Sequence, residues 1–200
     1  MKKILLVGIS TVLLGVMAGC SQTEVKKPVT ETTQTSINGE SQTKSSANQK
    51  SISEVKIITL EEARDIYEKA HPKTDITSIQ LDSTRGDFFY KIDGMDDSND
   101  YEMKFNAVTK DIKKDKTEKL DKEDIGQNKD KKIDLSGLKT IDEVTEIAEK
   151  EATVGKAEEW TLEKELGVTF WEVEVRDGHK ETQVKIDAKI GKVLETRQDD

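Results

Sequence analysis

The chain has 200 residues, 32 of them basic and 41 acidic, for a formal net charge of −9, with one cysteine and two histidines. A chain this acidic is repelled by nucleic acid and by anionic lipid head groups, which excludes nucleic-acid binding. A lone cysteine excludes both an internal disulfide and a cysteine-built zinc cluster.

Lys2 and Lys3 precede an apolar run, Ile4 to Ala18, that is shorter than the roughly 20 residues a membrane span requires. The charge, the length and the small residues at its exit predict a secretory signal peptide over residues 1–19. The exit, Met17-Ala18-Gly19-Cys20, resembles the lipobox of bacterial lipoproteins, with Met17 where leucine is usual. That resemblance implies a diacylglyceryl group on Cys20 and an anchor on the extracytoplasmic face of the cell membrane. Two acyl chains make such an anchor stable where one would not. Loss of Lys2 and Lys3 would leave 30 basic against 41 acidic residues, a net charge of −11.

Residues 20–55 are rich in Ser, Thr, Gln, Asn and Lys, too poor in apolar side chains to offset the entropy of ordering. They are expected to form a disordered tether. A flexible chain of about 35 residues spans some 30 Å by random-coil scaling.

From residue 59 onward the chain repeats itself. A shift of 81 lays residues 59–113 on 140–194 without a gap. Identities include Thr59/Thr140, Glu62/Glu143, Ile66/Ile147, Gly86/Gly167, Phe89/Phe170, Lys104/Lys185 and Ala107/Ala188. The apolar pattern is kept at nearly every position that would face a core. Thr59-Leu60-Glu61-Glu62 and Thr140-Ile141-Asp142-Glu143 have the form of capping boxes, each followed by apolar residues at helical spacing. His71-Pro72 is expected to end the first helix and Gly155 the second.

Strands follow in each copy. The first carries Ile79 and Leu81, or Trp160 and Leu162, and turns at Gly86 or Gly167. The second carries Tyr90 and Ile92, or Trp171 and Val173. The third alternates through Tyr101, Met103, Phe105 and Ala107, or Thr182, Val184, Ile186 and Ala188. Period two over these lengths predicts antiparallel pairing with one buried face. Ile112 and Val193 mark a short fourth strand. The expected fold is α+β: two tandem modules, 56–114 and 138–197, each one helix packed on a three- to four-stranded antiparallel sheet. A charged linker, 115–137, would join them. A module of about 60 residues is marginal alone, so the two are expected to touch.

The strand Thr169-Phe170-Trp171-Glu172-Val173-Glu174-Val175, followed by Val184-Lys185-Ile186-Asp187-Ala188-Lys189-Ile190-Gly191-Lys192-Val193-Leu194, resembles the PepSY domain family. The first copy keeps Tyr90-Lys91-Ile92 but has Asn106 for the aspartate and Lys110 for the turn glycine. The resemblance implies a noncatalytic module, found in metallopeptidase propeptides and bacterial surface proteins, that binds protein partners and inhibits or modulates peptidases.

Catalytic motifs are not found. No H-E-x-x-H, G-x-S-x-G, P-loop or dinucleotide fingerprint is present. His71 and His179 fall in turns and are expected to be solvated. The chain is accordingly read as no enzyme, with no cofactor and no metal. The acidic tip Asp93–Asp100 raises a calcium reading, but lacks EF-hand spacing and is better accounted for as a hairpin loop. Phe89 and Phe170 share a repeat position on the strand face opposite Tyr90 and Trp171. They form either a shared exposed aromatic pair suited to a partner, or rings covered where the sheet curls or the modules meet. The alternatives to protein binding are a cation- or small-ligand-binding surface protein and an envelope spacer or assembly component.

Overall fold

A computed structural model describes residues 52–121 and 129–199, all within one compact unit. The signal segment, Cys20 and the tether up to residue 51 lie outside the described residues; the last four residues of the expected tether, 52–55, are ordered instead, with Ile52–Glu54 in a 3-10 helix and Ile52 buried in the core. Among those described, no helix is long and apolar enough to cross a membrane.

Each copy contributes one helix and four strands. The first has α1 (Leu60–Ala70), β1 (Asp75–Thr84), β2 (Asp87–Met95), β3 (Asn99–Asn106) and β4 (Ile112–Lys119). The second has α2 (Ile141–Ala152), β5 (Lys156–Glu165), β6 (Val168–Asp177), β7 (Lys180–Asp187) and β8 (Val193–Asp199). Both helices start on the expected capping boxes: Thr59 Oγ1 accepts from the Glu62 amide, Thr140 Oγ1 from that of Glu143, and each glutamate bonds back to its threonine amide. His71 caps α1 as expected. At α2 the cap is Thr153, with φ 67°, and not Gly155. Gly155 serves a close approach instead: a Cβ there would lie 2.6 Å from the Arg176 carbonyl oxygen.

Separate sheets, one per module, are not what forms. The eight strands make one antiparallel sheet in the order β4-β3-β2-β1-β5-β6-β7-β8. Its centre is a seam between β1 and β5, where Ile79 faces Leu162, Gln80 faces Thr161 and Leu81 faces Trp160. Gln80 and Thr161 are themselves equivalent under the 81-residue shift, so the seam has a local two-fold axis through that pair. Each copy's first strand would be an open edge in isolation, and the other copy closes it.

The equivalence reaches the irregularities. Thr77 and Glu158 are matching bulges in β1 and β5, and Lys113 and Leu194 in β4 and β8. The tips of the β1–β2 and β5–β6 hairpins, Arg85-Gly86 and Leu166-Gly167, have left-handed backbones suited to a tight hairpin. Asn106 Oδ1 accepts from the Val108 and Thr109 amides as Asp187 Oδ1 accepts from those of Lys189 and Ile190, so the amide does the carboxylate's work. Lys110 takes the left-handed conformation (φ 66°) that its counterpart Gly191 takes at 71°. Because a Cβ disfavours that region by about 1–2 kcal/mol, Lys110→Gly is expected to raise stability by roughly 0.5–1 kcal/mol. The gain is net of the exposed Lys110–Glu62 pair and is measurable by urea unfolding.

Both helices pack on one face of the sheet. Ala63, Tyr67, Val144 and Ala148 meet Ile79, Leu81, Tyr90, Ile92, Trp160, Leu162, Trp171 and Val173 in a shared core. Part of the expected linker is structural. β4 runs past residue 114 to Lys119, and Ile133 is buried with its amide bonded to the Ile76 carbonyl of the first copy. Ile133 is also the counterpart of the buried Ile52, so the repeat begins before the capping boxes.

Candidate functional site

The strand face away from the helices holds the residues singled out as a partner surface. Phe89 is half-buried beneath the Lys104 ammonium, 5.2 Å from the ring centre. Phe170, at 5% exposure, lies beneath Lys185 at 4.7 Å. The two lysines are repeat equivalents, so each ring carries the same cation–π cover and neither is bare. Around them runs a charge ladder: Lys104 bonds Asp82 at 2.6 Å, Lys91 bonds Asp93 at 2.9 Å, Lys114 pairs with Glu102, and Gln80 donates to Glu159 across the seam at 2.6 Å.

Glu174 belongs to this face, with its side chain 17% exposed and bonded by Arg176. Burial raises its pKa above the usual glutamate value, aided by Glu181 and Glu159 and opposed by Arg176. A raised folded-state pKa means that the stabilising contribution is complete below the unfolded value and is lost as pH rises through the folded one. Glu174→Gln is therefore expected to stabilise the protein at pH 7 relative to the parent, with the difference vanishing below about pH 4, as thermal melts across that range would read.

The acidic tip closes on itself. Asp96 accepts from the Ser98 and Asn99 amides at 2.7 and 2.8 Å and from the Tyr101 hydroxyl at 2.7 Å, which together hold its pKa below the usual range. This is turn chemistry. Among the described residues, no group of three or more His, Cys, Asp or Glu side chains is placed to hold a metal ion.

His71 departs from its expected solvated state. Its side chain is 10% exposed, lies between the rings of Tyr67 and Tyr101 at 5.1 and 4.9 Å, and its Nε2 meets Asp115 Oδ1 on β4 at 2.9 Å. The tie fastens the edge strand β4 to the end of α1. Tyr67, four residues earlier and on the same helix face, was the signal that could have indicated a covered histidine.

Two further features were not visible in the sequence. A cleft of about 400 Å³ lies between the starts of the two helices, lined by residues 57–61 and their equivalents 138–142. Tyr90 also lines it, and its hydroxyl donates to the Ile58 carbonyl. The second feature is a pair of open sheet edges, β4 and β8. β4 carries Lys113, Lys114, Lys116 and Lys119, whereas β8 carries a single cation, Arg197. Edge lysines are a common guard against unwanted pairing.

Residues 57–116 and 139–197 each match the profile of a family described as "Peptidase propeptide and YPEB domain", or PepSY. Among solved structures, a candidate lipoprotein from Clostridium difficile 630 is similar at 36% identity and a TM-score of 0.71, covering 76% of this chain and 100% of its own. A comparison with curated proteins gave no match. Two profile matches in register with the two structural halves, and the likeness to a solved relative over that relative's whole length, lead to one conclusion: the chain belongs to the PepSY family and carries two copies of its domain.

Proposed function

We propose that the chain is a noncatalytic PepSY lipoprotein, anchored through Cys20 on the extracytoplasmic face of the membrane, that binds protein partners and restrains or modulates a peptidase at the cell surface. The observation that carries this reading is the fused sheet, whose two margins offer unpaired backbone to an extended segment of another protein. Family membership supports it, since these domains occur in peptidase propeptides. Polar groups of the kind that serve chemistry are engaged structurally: His71 with Asp115, Asp96 with its own turn, and the outward carboxylates in the charge ladder. A partner reaching the outer face would meet Phe89 and Phe170 as lysine-capped rings.

The test is to titrate secreted metallopeptidases of the same organism with the purified protein. Saturable loss of peptidase activity, with a complex that co-elutes in gel filtration, is expected. Full activity at saturating protein with no complex would exclude peptidase modulation.

A further inference from the structure

The two copies share a backbone but not a surface. The second exposes Leu166 (98%), Val168 (42%), Ile190 (70%) and Leu194 (46%). At the same positions the first copy has Arg85, Asp87, Thr109 and Lys113. The local conformations match: Leu166 and Arg85 are both left-handed, and Leu194 and Lys113 are both bulge residues. Folding is therefore satisfied by polar side chains at all four places, and the apolar ones serve something other than folding. One exchange runs the other way, Val108 against Lys189.

The four residues gather at one end of the second copy. The Ala188 amide bonds the Thr169 carbonyl at 3.0 Å, which sets the turn bearing Ile190 beside the start of β6, where Val168 lies. Leu194 is the second residue of β8, the margin without lysines. Grouped exposed apolar residues mark interaction sites, whereas scattered ones do not.

We propose that this end is a docking surface for an extended, apolar segment of a partner protein, added as a further strand along β8 with its side chains against Leu194 and, past the start of that strand, Ile190. The proposal rests on the protein-binding reading and names where and what it binds. Main-chain bonds to β8 would supply affinity, and alternate side chains specificity. A second copy of this chain is a poorer occupant. Antiparallel self-pairing about Thr196 would set Glu195 against Arg197, but it would put Leu194 opposite Gln198 and leave Ile190 uncovered.

The test exchanges Leu166→Arg, Val168→Asp, Ile190→Thr and Leu194→Lys together, each a residue that the first copy carries on the same backbone, so a parental melting temperature is expected. The probe is a displayed library of random linear peptides selected on the full chain. Selected peptides are expected to carry apolar residues at alternate positions, to protect β8 amides from hydrogen exchange, and to lose roughly tenfold or more in affinity on the exchanged variant, about 1.4 kcal/mol. The reverse exchange in the first copy, Arg85→Leu, Asp87→Val, Thr109→Ile and Lys113→Leu, leaves their binding unchanged. Peptides that bind parent and exchanged variant equally overturn this surface while leaving the protein-binding reading intact. Self-association that the exchange abolishes makes the occupant a second copy and overturns the proposal. No selected peptide and no association overturn the surface and weaken the wider reading with it.

Discussion

Truncation of Trp160 to alanine is expected to cost about 3–5 kcal/mol of unfolding free energy and to weaken both copies at once. Trp160 is fully buried at the seam, opposite Leu81 of the first copy. Its ring lies 6.5 Å from that of Phe88, also of the first copy, and its indole N–H donates to Thr145 Oγ1 on α2 at 2.8 Å. One side chain thus joins the seam, the core and a helix. All three tyrosines, Tyr67, Tyr90 and Tyr101, fall in the first copy and both tryptophans in the second, so the spectrum separates the two. In the variant, Trp171 alone reports the second copy. Tyrosine and tryptophan transitions in urea should coincide before and after the substitution, as a single cooperative unit requires. A tyrosine transition well separated from that of Trp171 would show two independently folding modules and refute the seam as the source of cohesion.

The second large effect concerns a pair of residues whose sizes are exchanged between copies. Gly94 lies against Tyr67: a Cβ there would overlap the Tyr67 hydroxyl and come within 2.9 Å of the Asp75 carbonyl oxygen. The equivalents of Tyr67 and Gly94 are Ala148 and Val175, both buried. One copy fills the space from the helix and the other from the sheet. Gly94→Val alone is expected to cost about 1–3 kcal/mol by overpacking. Tyr67→Ala alone is expected to cost about 3–5 kcal/mol, since the ring is fully buried and also packs at a tilt against His71. The double variant reproduces the second copy's arrangement and is expected to be more stable than the sum of the two losses by roughly 1–3 kcal/mol. Strict additivity in urea unfolding would mean that the two positions do not share one space.

Much of the fold was legible because duplication wrote it twice. The capping boxes, the alternation in the second and third strands and the turn glycines are local signals, and each was found where it was expected. The seam was not legible, for a physical reason. Ile79 and Leu81 alternate as they would in any strand with one buried face, and periodicity records burial but not which strand lies alongside. The same limit hid the edges, since an edge strand such as β4 is fully exposed and shows no alternation. Asn106 and Lys110 looked like losses against Asp187 and Gly191, yet an amide oxygen accepts the same two bonds and a lysine can be held left-handed by its surroundings. At the candidate site, Phe89 and Phe170 were placed on the correct face, but their lysine cover depends on β3 and β7 lying beside them, which requires the pairing register.

Covalent duplication also settles how far assembly can go. A lone module that paired through its first strand would obey two-fold symmetry, so both outer margins would have to be alike. If those margins were adhesive, units would join end to end into a filament; if they were armoured, nothing would be recruited. Joining the copies in one polypeptide frees the margins to differ. β4, latched by His71 and studded with lysine, can terminate growth, while β8 stays receptive to a single guest.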